Sequence, residues 1–191
     1  MSANNSEIST IAAIEATVRQ WLDEIVVGLG LCPFAAKPLQ ASRVRIDVSL
    51  AQDPEALAAD LHLALCRLEE TPVSILETSL LVVPNMLADF YDYNDFLDVA
   101  DAMLEEGDWD GVIQIASFHP AYQFADTDPS DAENFTNRAP YPIFHLLREA
   151  SLDAVLASYP DPEAIPERNI ALFRQMDRDA LKRLFPYCFR K

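Results

Sequence analysis

Apolar residues recur along the chain with the spacing of either helices or strands. Over residues 7–27 they fall every three or four positions, which predicts an amphipathic helix packed against a core. Asp53 and Pro54 have the residue types of a helix start, and the leucine stripe after them predicts a second helix, ending before Pro72. A third helix is predicted over residues 88–106, and its aspartates recur every three residues, which is typical of a solvated face: Asp92, Asp95, Asp98 and Asp101.

Three other stretches have the pattern of strands. Residues 43–50 alternate strictly between polar and apolar side chains, which predicts a strand with one wet face near a sheet edge. Residues 73–83 are almost continuously apolar, as expected of a central strand buried on both faces. Residues 111–118 form the third predicted strand, which ends just before His119.

The C-terminal third of the chain is predicted to be helical. A helix is expected over residues 141–158, beginning at an Ala-Pro-Tyr-Pro turn, and another apolar stripe follows over residues 170–184, broken near Asp177. Strands that alternate with helices predict an α/β fold: a small mixed or parallel sheet of three to four strands, flanked by helices, with helical N- and C-termini. The length of 191 residues fits one domain over residues 1–191.

Composition narrows the compartment and the partners. No apolar run approaches the roughly 20 residues of a membrane span, and the first ten residues lack a secretory pattern, so a soluble cytoplasmic protein without a membrane partner is expected. The net charge of -17 would repel nucleic acid phosphates over most of the surface, so no nucleic acid partner is expected. Cys32, Cys66 and Cys188 are widely spaced without a CxxC, which predicts free thiols.

The densest group of reactive side chains lies between residues 111 and 151. His119 ends a predicted strand, and Asn85 follows another, so both are expected at the same edge of the sheet. On the predicted helix over residues 141–158, the three- and four-residue spacings place His145, Arg148 and Glu149 together on the face opposite its apolar stripe.

These residues suggest an enzyme that acts on a small anionic metabolite. His119 and His145 would exchange protons near neutral pH, while Arg138 and Arg148 would clamp a carboxylate or phosphate. The two arginines close a stretch over residues 68–137 that has no Lys or Arg, so an anion would find positive charge concentrated there. The remaining candidate residues of this site are Glu149 and Cys32 for catalysis, and Asn85, Tyr122, Gln123 and Asn137 for binding the substrate.

Three alternatives to this enzyme stay open. One is a non-catalytic module whose acidic surface, between residues 68 and 137, binds a basic partner. Another is a metal-dependent hydrolase with His119, His145 and Glu149 as ligands, although the neighbouring arginines disfavour a cation, so no metal or cofactor is assigned. The third is structural: the polar loop would pack through hydrogen bonds between side chains and backbone.

Cys32 permits two interpretations of its own. If Pro33 began a short helix, the thiol would lie beside the helix N-cap, where the helix dipole lowers a thiol pKa and favours a reactive thiolate that pairs with His119 or His145. The favoured interpretation is a small thiol buried in a turn.

Five stretches of the chain resemble an uncharacterised bacterial family, catalogued as a domain of unknown function (family 1415). The resemblance covers nearly the whole chain and is carried by these sequences: GLCPFA at 30–35, LLVVPN at 80–85, DYNDFLD at 92–98, IQIASFHPAYQFA at 113–125 and NFTNRAPYPIFHLLREAS at 134–151. It implies one intact domain, and the family carries no established activity, cofactor or catalytic residue that would transfer to this chain.

Overall fold

A computed structural model gives the structure of residues 2–157 and 159–189, in which a four-stranded mixed sheet is flanked by helices. The predicted α/β class with helical ends is confirmed. Helices and strands follow in the order α1 (Ser2–Trp21), a π-helix (Leu22–Val27), α2 (Ala36–Gln40), β1 (Val44–Val48), α3 (Pro54–Glu70), β2 (Thr78–Val82), α4 (Phe90–Glu106), β3 (Ile113–Phe118), a 3-10 helix (Ala132–Asn137), β4 (Ile143–Arg148), α5 (Glu149–Leu156), α6 (Ala164–Arg174), α7 (Arg178–Leu184) and a second 3-10 helix (Pro186–Phe189).

The strands lie in the order β1-β2-β4-β3, with β1 parallel to β2 and β4 antiparallel to both of its neighbours. All five residues of β2 are buried, and β1 is an edge strand, so both predicted positions in the sheet are confirmed. Because β1, β2 and β3 run in the same direction, their carboxyl ends meet at one edge, as expected for Asn85 and His119. The beginning of β2 differs from the prediction, since Val73 and Ile75 are exposed in the turn before it.

Each face of the sheet has its own hydrophobic core. Leu81, Phe144 and Leu146 point to one face, where they pack with the buried sides of α3 and α4. Leu80, Val82 and Ile143 point to the other face, which is covered by α1, the π-helix and the C-terminal helices. This alternation follows from the two-residue period of a strand, and it explains why the central strands are apolar throughout.

The predicted helices on these faces are largely confirmed. Asp53 caps α3 by accepting a hydrogen bond of 2.8 Å from Ala56 N, and the predicted leucine stripe is fully buried: Leu57, Leu61, Leu65 and Leu68. The four aspartates of α4 are exposed, as a solvated face predicts. Asp177 caps α7 through a hydrogen bond of 2.7 Å from Ala180 N, so the C-terminal segment is interrupted at the predicted residue.

The helix predicted over residues 141–158 is wrong in its first half. Residues 143–148 form β4, which pairs with β2 on one side and β3 on the other, and only residues 149–156 are helical, as α5. Ser158, the predicted last residue of that helix, lies outside the described residues. The run IFHLLR is apolar at both odd and even positions because the strand is covered on both faces, and such a run also matches a helical period.

Among the described helices, none combines the length and the apolar composition that crossing a membrane requires.

Candidate functional site

A partly open cavity of about 510 Å³ lies on the α1 face of the sheet. Strands, the α1/π-helix segment, the loop after it and α5 all contribute to its wall. The wall is mainly apolar and includes Trp21, Val26, Phe34, Phe118, Leu147, Leu152 and Val155. A cavity of this size, with few polar groups among apolar walls, has the usual properties of a small-molecule site.

Irregular backbone shapes one side of this cavity. Helix α1 continues into the π-helix, whose Leu22 and Val26 line the cavity together with Trp21 at the end of α1. Inserted π-turns are frequent at functional sites because they displace the side chains of a regular helix. At the other end, the rings of Phe34 and Tyr159 meet edge to face with centroids 5.6 Å apart.

His145 and Arg148 are the polar residues of β4 that line the cavity. The Nε2 of His145 lies 2.8 Å from Thr78 Oγ1, and that hydroxyl donates its own proton to Leu146 O at 2.6 Å. The threonine oxygen therefore accepts from His145, which places the imidazole proton on Nε2 and leaves Nδ1 as an acceptor. Nδ1 has no hydrogen-bond partner among the described residues. Burial lowers the pKa of His145 to about 4, so the ring is neutral at pH 7.

Cys32 lines the same cavity, in the loop that precedes α2. The predicted helix start at Pro33 is wrong, because α2 begins at Ala36 and residues 33–35 form a turn. Burial raises the pKa of the Cys32 thiol, while the backbone N–H groups of Phe34 and Ala35 oppose this shift. The thiol is therefore protonated at neutral pH, as the interpretation of a thiol buried in a turn expected.

His119 does not reach this cavity. It is fully buried on the α4 face, with its ring centroid 5.2 Å from that of Tyr93 and 5.4 Å from that of Phe90. Its Nδ1 accepts from Ala121 N at 2.9 Å, so Nε2 carries the proton and donates to Leu87 O at 2.9 Å. Burial also lowers the pKa of His119. The two histidines thus lie on opposite faces of the sheet, and the structure does not bring them together.

The two arginines of the expected clamp also lie apart, near opposite ends of β4. The Arg148 guanidinium donates to the carbonyl oxygens of Leu68, Thr71 and Leu76, where α3 ends. Arg138 instead donates to Pro129 O at 2.6 Å and to Tyr122 O at 3.4 Å. A strand of six residues separates these ends by roughly 17 Å, so one small anion cannot contact both arginines.

Five more candidate residues lie outside the cavity. Asn137 links its loop to β3 by donating from Nδ2 to Ser117 O at 3.1 Å, and Gln123 donates to Thr127 O. The Tyr122 hydroxyl accepts from Ser117 Oγ at 3.4 Å. Asn85 is exposed after β2, and Glu149 begins α5. Much of the loop between β3 and β4 is therefore held by bonds from side chains to backbone, as the structural alternative expected.

The proposed metal ligands are not adjacent. His119 and His145 lie on opposite faces, and Glu149 follows His145 by four positions, about 13 Å of extended chain if the strand spacing is applied. Within residues 2–157 and 159–189, no group of three or more His, Cys, Asp or Glu side chains is arranged to hold a metal ion.

Comparison with known proteins gives a family and no activity. The model of the family described as Protein of unknown function (DUF1415) matches residues 13–183. The chain belongs to this family. The comparison with curated proteins found no match, and neither did the comparison with solved structures. The cavity of this DUF1415 protein must therefore be interpreted from its own residues.

Sequence reasoning missed several residues of the cavity. Thr78 fixes the tautomer of His145 from the neighbouring strand, and Arg43 forms an ion pair of 2.6 Å with Glu77 at the cavity wall. For Thr78 the sequence did offer a signal, since it is a polar residue at the beginning of a fully buried strand. The ion pair of Arg43 with Glu77 has no sequence signal, because it forms only when β1 lies beside the turn before β2.

Proposed function

We propose that this protein binds a small, mostly apolar molecule in the cavity on the α1 face, with one hydrogen-bond donor of the ligand directed at His145 Nδ1. The supporting observation is a partly open cavity of about 510 Å³ with mainly apolar walls, on which one imidazole acceptor has no partner among the described residues. A hydroxyl or an amide N–H on the ligand would satisfy that acceptor. One such hydrogen bond contributes about 1 kcal/mol, so a ligand that pairs this acceptor gains affinity and orientation.

The charges around the cavity favour a neutral ligand over the anionic metabolite expected from the sequence. Arg43 is already paired with Glu77, and the Arg148 guanidinium is bound to three carbonyl oxygens. His145 adds no positive charge because its pKa of about 4 keeps it neutral at pH 7. The remaining cation on the wall is the exposed Lys37, so an anionic group could be paired at the solvent-exposed edge of the cavity but would lose its hydration without a cation beside His145.

An enzymatic role would rest on fewer residues than the sequence suggested. A pKa of about 4 leaves His145 unprotonated at pH 7, so it cannot donate a proton there, and it also makes the imidazole a weaker base than an ordinary histidine. His119 has both nitrogens bonded to the backbone. We therefore propose binding as the function, with His145 as the base if a reaction takes place. Recognition of a basic partner by the acidic surface between residues 68 and 137 stays a prediction.

The cavity can be tested with a neutral fluorophore that carries one N–H donor, N-phenyl-1-naphthylamine. We expect saturable fluorescence enhancement with the wild-type protein. Leu152→Trp fills the cavity from α5 and should weaken binding by about tenfold or more, while Ala154→Trp, on the exposed side of the same helix, should leave it within about twofold. No saturable binding by the wild type, or equal binding by both variants, would rule out the cavity as a site.

The role of His145 is tested by pairing a variant with a change in the ligand. His145→Phe keeps an aromatic ring but removes the acceptor, and 1-phenylnaphthalene lacks the N–H donor of the first probe. The variant should bind N-phenyl-1-naphthylamine about fivefold more weakly, which corresponds to about 1 kcal/mol for one hydrogen bond. It should bind 1-phenylnaphthalene as well as the wild type does. An equal loss for both probes would assign the effect to the shape of the cavity and overturn the proposed bond.

A further inference from the structure

A second cavity, of about 750 Å³, is separate from the cavity of the proposed function. It is bounded by the loop after β3, the start of α4, and the segment formed by α7 and the turn that follows it. Two arginines from distant parts of the chain line it, Arg138 and Arg178. It shares none of its lining residues with the cavity of the proposed function.

Arg138 is a buried cation without an acidic partner. It is 8 % exposed, and its guanidinium lies 4.2 Å from the centre of the Phe135 ring. Within the part of the chain that the structure describes, no carboxylate oxygen lies within ion-pair distance of it. Its guanidinium donates to Pro129 O and Tyr122 O and also contacts the Cys188 side chain, which still leaves some of the five N–H donors of a guanidinium for a ligand.

The neighbours of Arg138 supply no negative charge of their own. Cys188 lies beside the guanidinium, and burial raises the pKa of its thiol to about 12, so the thiol stays neutral. Burial also raises the pKa of the Tyr187 hydroxyl, whose oxygen is buried and has no hydrogen-bond partner among the described residues. The same burial lowers the pKa of Arg138, because taking a cation out of water is costly when no anion replaces the water.

Arg178 supplies a second, accessible guanidinium. It is exposed at the start of α7, and it takes part in no ion pair or hydrogen bond among the residues that the structure describes. The one carboxylate that the described residues place on the cavity wall is that of Asp89; it keeps its negative charge, and its Oδ1 accepts hydrogen bonds from Tyr91 N at 2.8 Å and Asp92 N at 3.4 Å to cap α4, so it pairs with the helix start and not with either arginine. In a chain of net charge -17, two arginines without acidic partners at one cavity are unexpected.

We propose that this second cavity binds a small molecule through a phosphate or carboxylate group, which Arg138 and Arg178 hold together. An oxyanion would accept charge-assisted hydrogen bonds from the donors that Arg138 leaves unused and would replace the water that its burial removes. Because Arg178 is exposed, it can attract the anion from solution and then bind it together with Arg138. Both phosphate and carboxylate fit the planar donor geometry of arginine, so the two chemistries are compared directly in the test.

The probes are inorganic phosphate and malonate, titrated by calorimetry at constant ionic strength against the full chain. We expect saturable binding of at least one probe at concentrations up to about 10 mM. Arg178→Glu should weaken it by about tenfold or more, while Arg183→Glu, which makes the same charge change elsewhere on α7, should leave it within about twofold. Stronger binding of one probe identifies which oxyanion the cavity prefers.

Two results would overturn the second site. One is the absence of saturable binding of both probes to the wild type, and the other is an equal loss in Arg178→Glu and Arg183→Glu, which would reflect net charge alone. Arg138→Lys keeps the charge but removes the forked donor, and it should weaken binding while its thermal unfolding remains cooperative. Leu152→Trp should leave phosphate and malonate binding unchanged, so a failure of the apolar site and a failure of this site are separately observable.

Discussion

His119 and His145 lie on opposite faces of one sheet, and they differ in how many of their ring nitrogens are hydrogen-bonded to the protein. On the face covered by α4, the His119 ring is fully buried and both of its nitrogens bind backbone groups. On the face covered by α1, His145 shares one nitrogen with Thr78 and lines a cavity of about 510 Å³. The first histidine completes a packed core, whereas the second leaves an acceptor for something outside the chain.

The two arginines of the expected clamp line different cavities and differ in how they bind the backbone. Arg148 reaches the end of α3, where helix carbonyl groups lack intrahelical partners, and it donates to three backbone oxygens. Arg138 lies by a cavity, where it donates to two carbonyl oxygens and contacts the Cys188 side chain and the Phe135 ring. Arg148 therefore binds the backbone at the end of α3 although it also lines the cavity on the α1 face, whereas the donors that Arg138 leaves unused are available to a ligand.

Substitution of His119 should give the largest loss of stability. We expect His119→Ala to lower the free energy of unfolding by about 3–4 kcal/mol, because it removes a fully buried ring and leaves Leu87 O and Ala121 N without partners. Urea denaturation followed by tryptophan fluorescence measures this change. The matched control is His62→Ala on the exposed side of α3, which should stay within about 0.5 kcal/mol.

A small effect of His119→Ala would break the comparison between the two faces. If the loss were below about 1 kcal/mol, the two backbone bonds would contribute little, and His119 would again be free for a functional role. A large effect of His62→Ala would show that removal of any histidine destabilises the chain, so the assay would not distinguish a buried ring from an exposed one.

The general fold could be predicted because it depends on burial patterns that few alternatives share. The alternating strand at the edge, the continuous apolar strand in the centre and the leucine stripe of α3 each have one consistent interpretation, and each was confirmed. The strand β4 was not predicted. Its apolar residues match a helical period, and only the pairing with β2 and β3, which the sequence does not display, makes it a strand.

The error at β4 also explains what happened to the candidate site. A helix would have placed His145, Arg148 and Glu149 on one face, whereas in a strand His145 and Arg148 point to opposite faces. His119 was correctly expected at a strand end, yet its hydrogen bonds to Leu87 and Ala121 depend on how two loops pack. Such tertiary bonds have no signature in local spacing, so the sequence identified the residue types but not their partners.

The pH dependence of stability should be intermediate in size and should depend on His145. The folded pKa of about 4 lies below the unfolded value of about 6.5, so the unfolded chain binds more protons between these values. The stabilisation from a neutral His145 is present above pH 6.5 and is lost as the pH falls toward 4, by about 3 kcal/mol in total. Comparing wild type with His145→Gln isolates this effect, because carboxylates and His119 are common to both chains.

Urea denaturation at pH 7 and at pH 4.5 provides the measurement. The difference in unfolding free energy between the two chains should shift against the wild type by about 2–3 kcal/mol at the lower pH. If the unfolding free energies of wild type and His145→Gln changed equally with pH, His145 would have the same pKa in the folded and the unfolded chain. In that case the cavity would be open to water, and the contrast with His119 would disappear.

The smallest effect concerns the reactivity of Cys32. It tests whether the cavity on the α1 face lowers the pKa of this thiol, which would make it reactive, or raises it. In the Cys66→Ser/Cys188→Ser chain, the rate of alkylation by iodoacetamide against pH reports the thiol pKa of Cys32 alone. Burial raises that pKa in the folded protein, so alkylation should be slower than in the urea-unfolded chain and should begin at higher pH.

N-phenyl-1-naphthylamine should slow the alkylation of Cys32 further, because Cys32 and His145 line one cavity. An apparent pKa below the ordinary value of about 8.5 would contradict this and would make Cys32 an activated nucleophile beside the imidazole. A raised pKa together with protection by the probe supports a binding cavity in which His145 and Cys32 are both neutral.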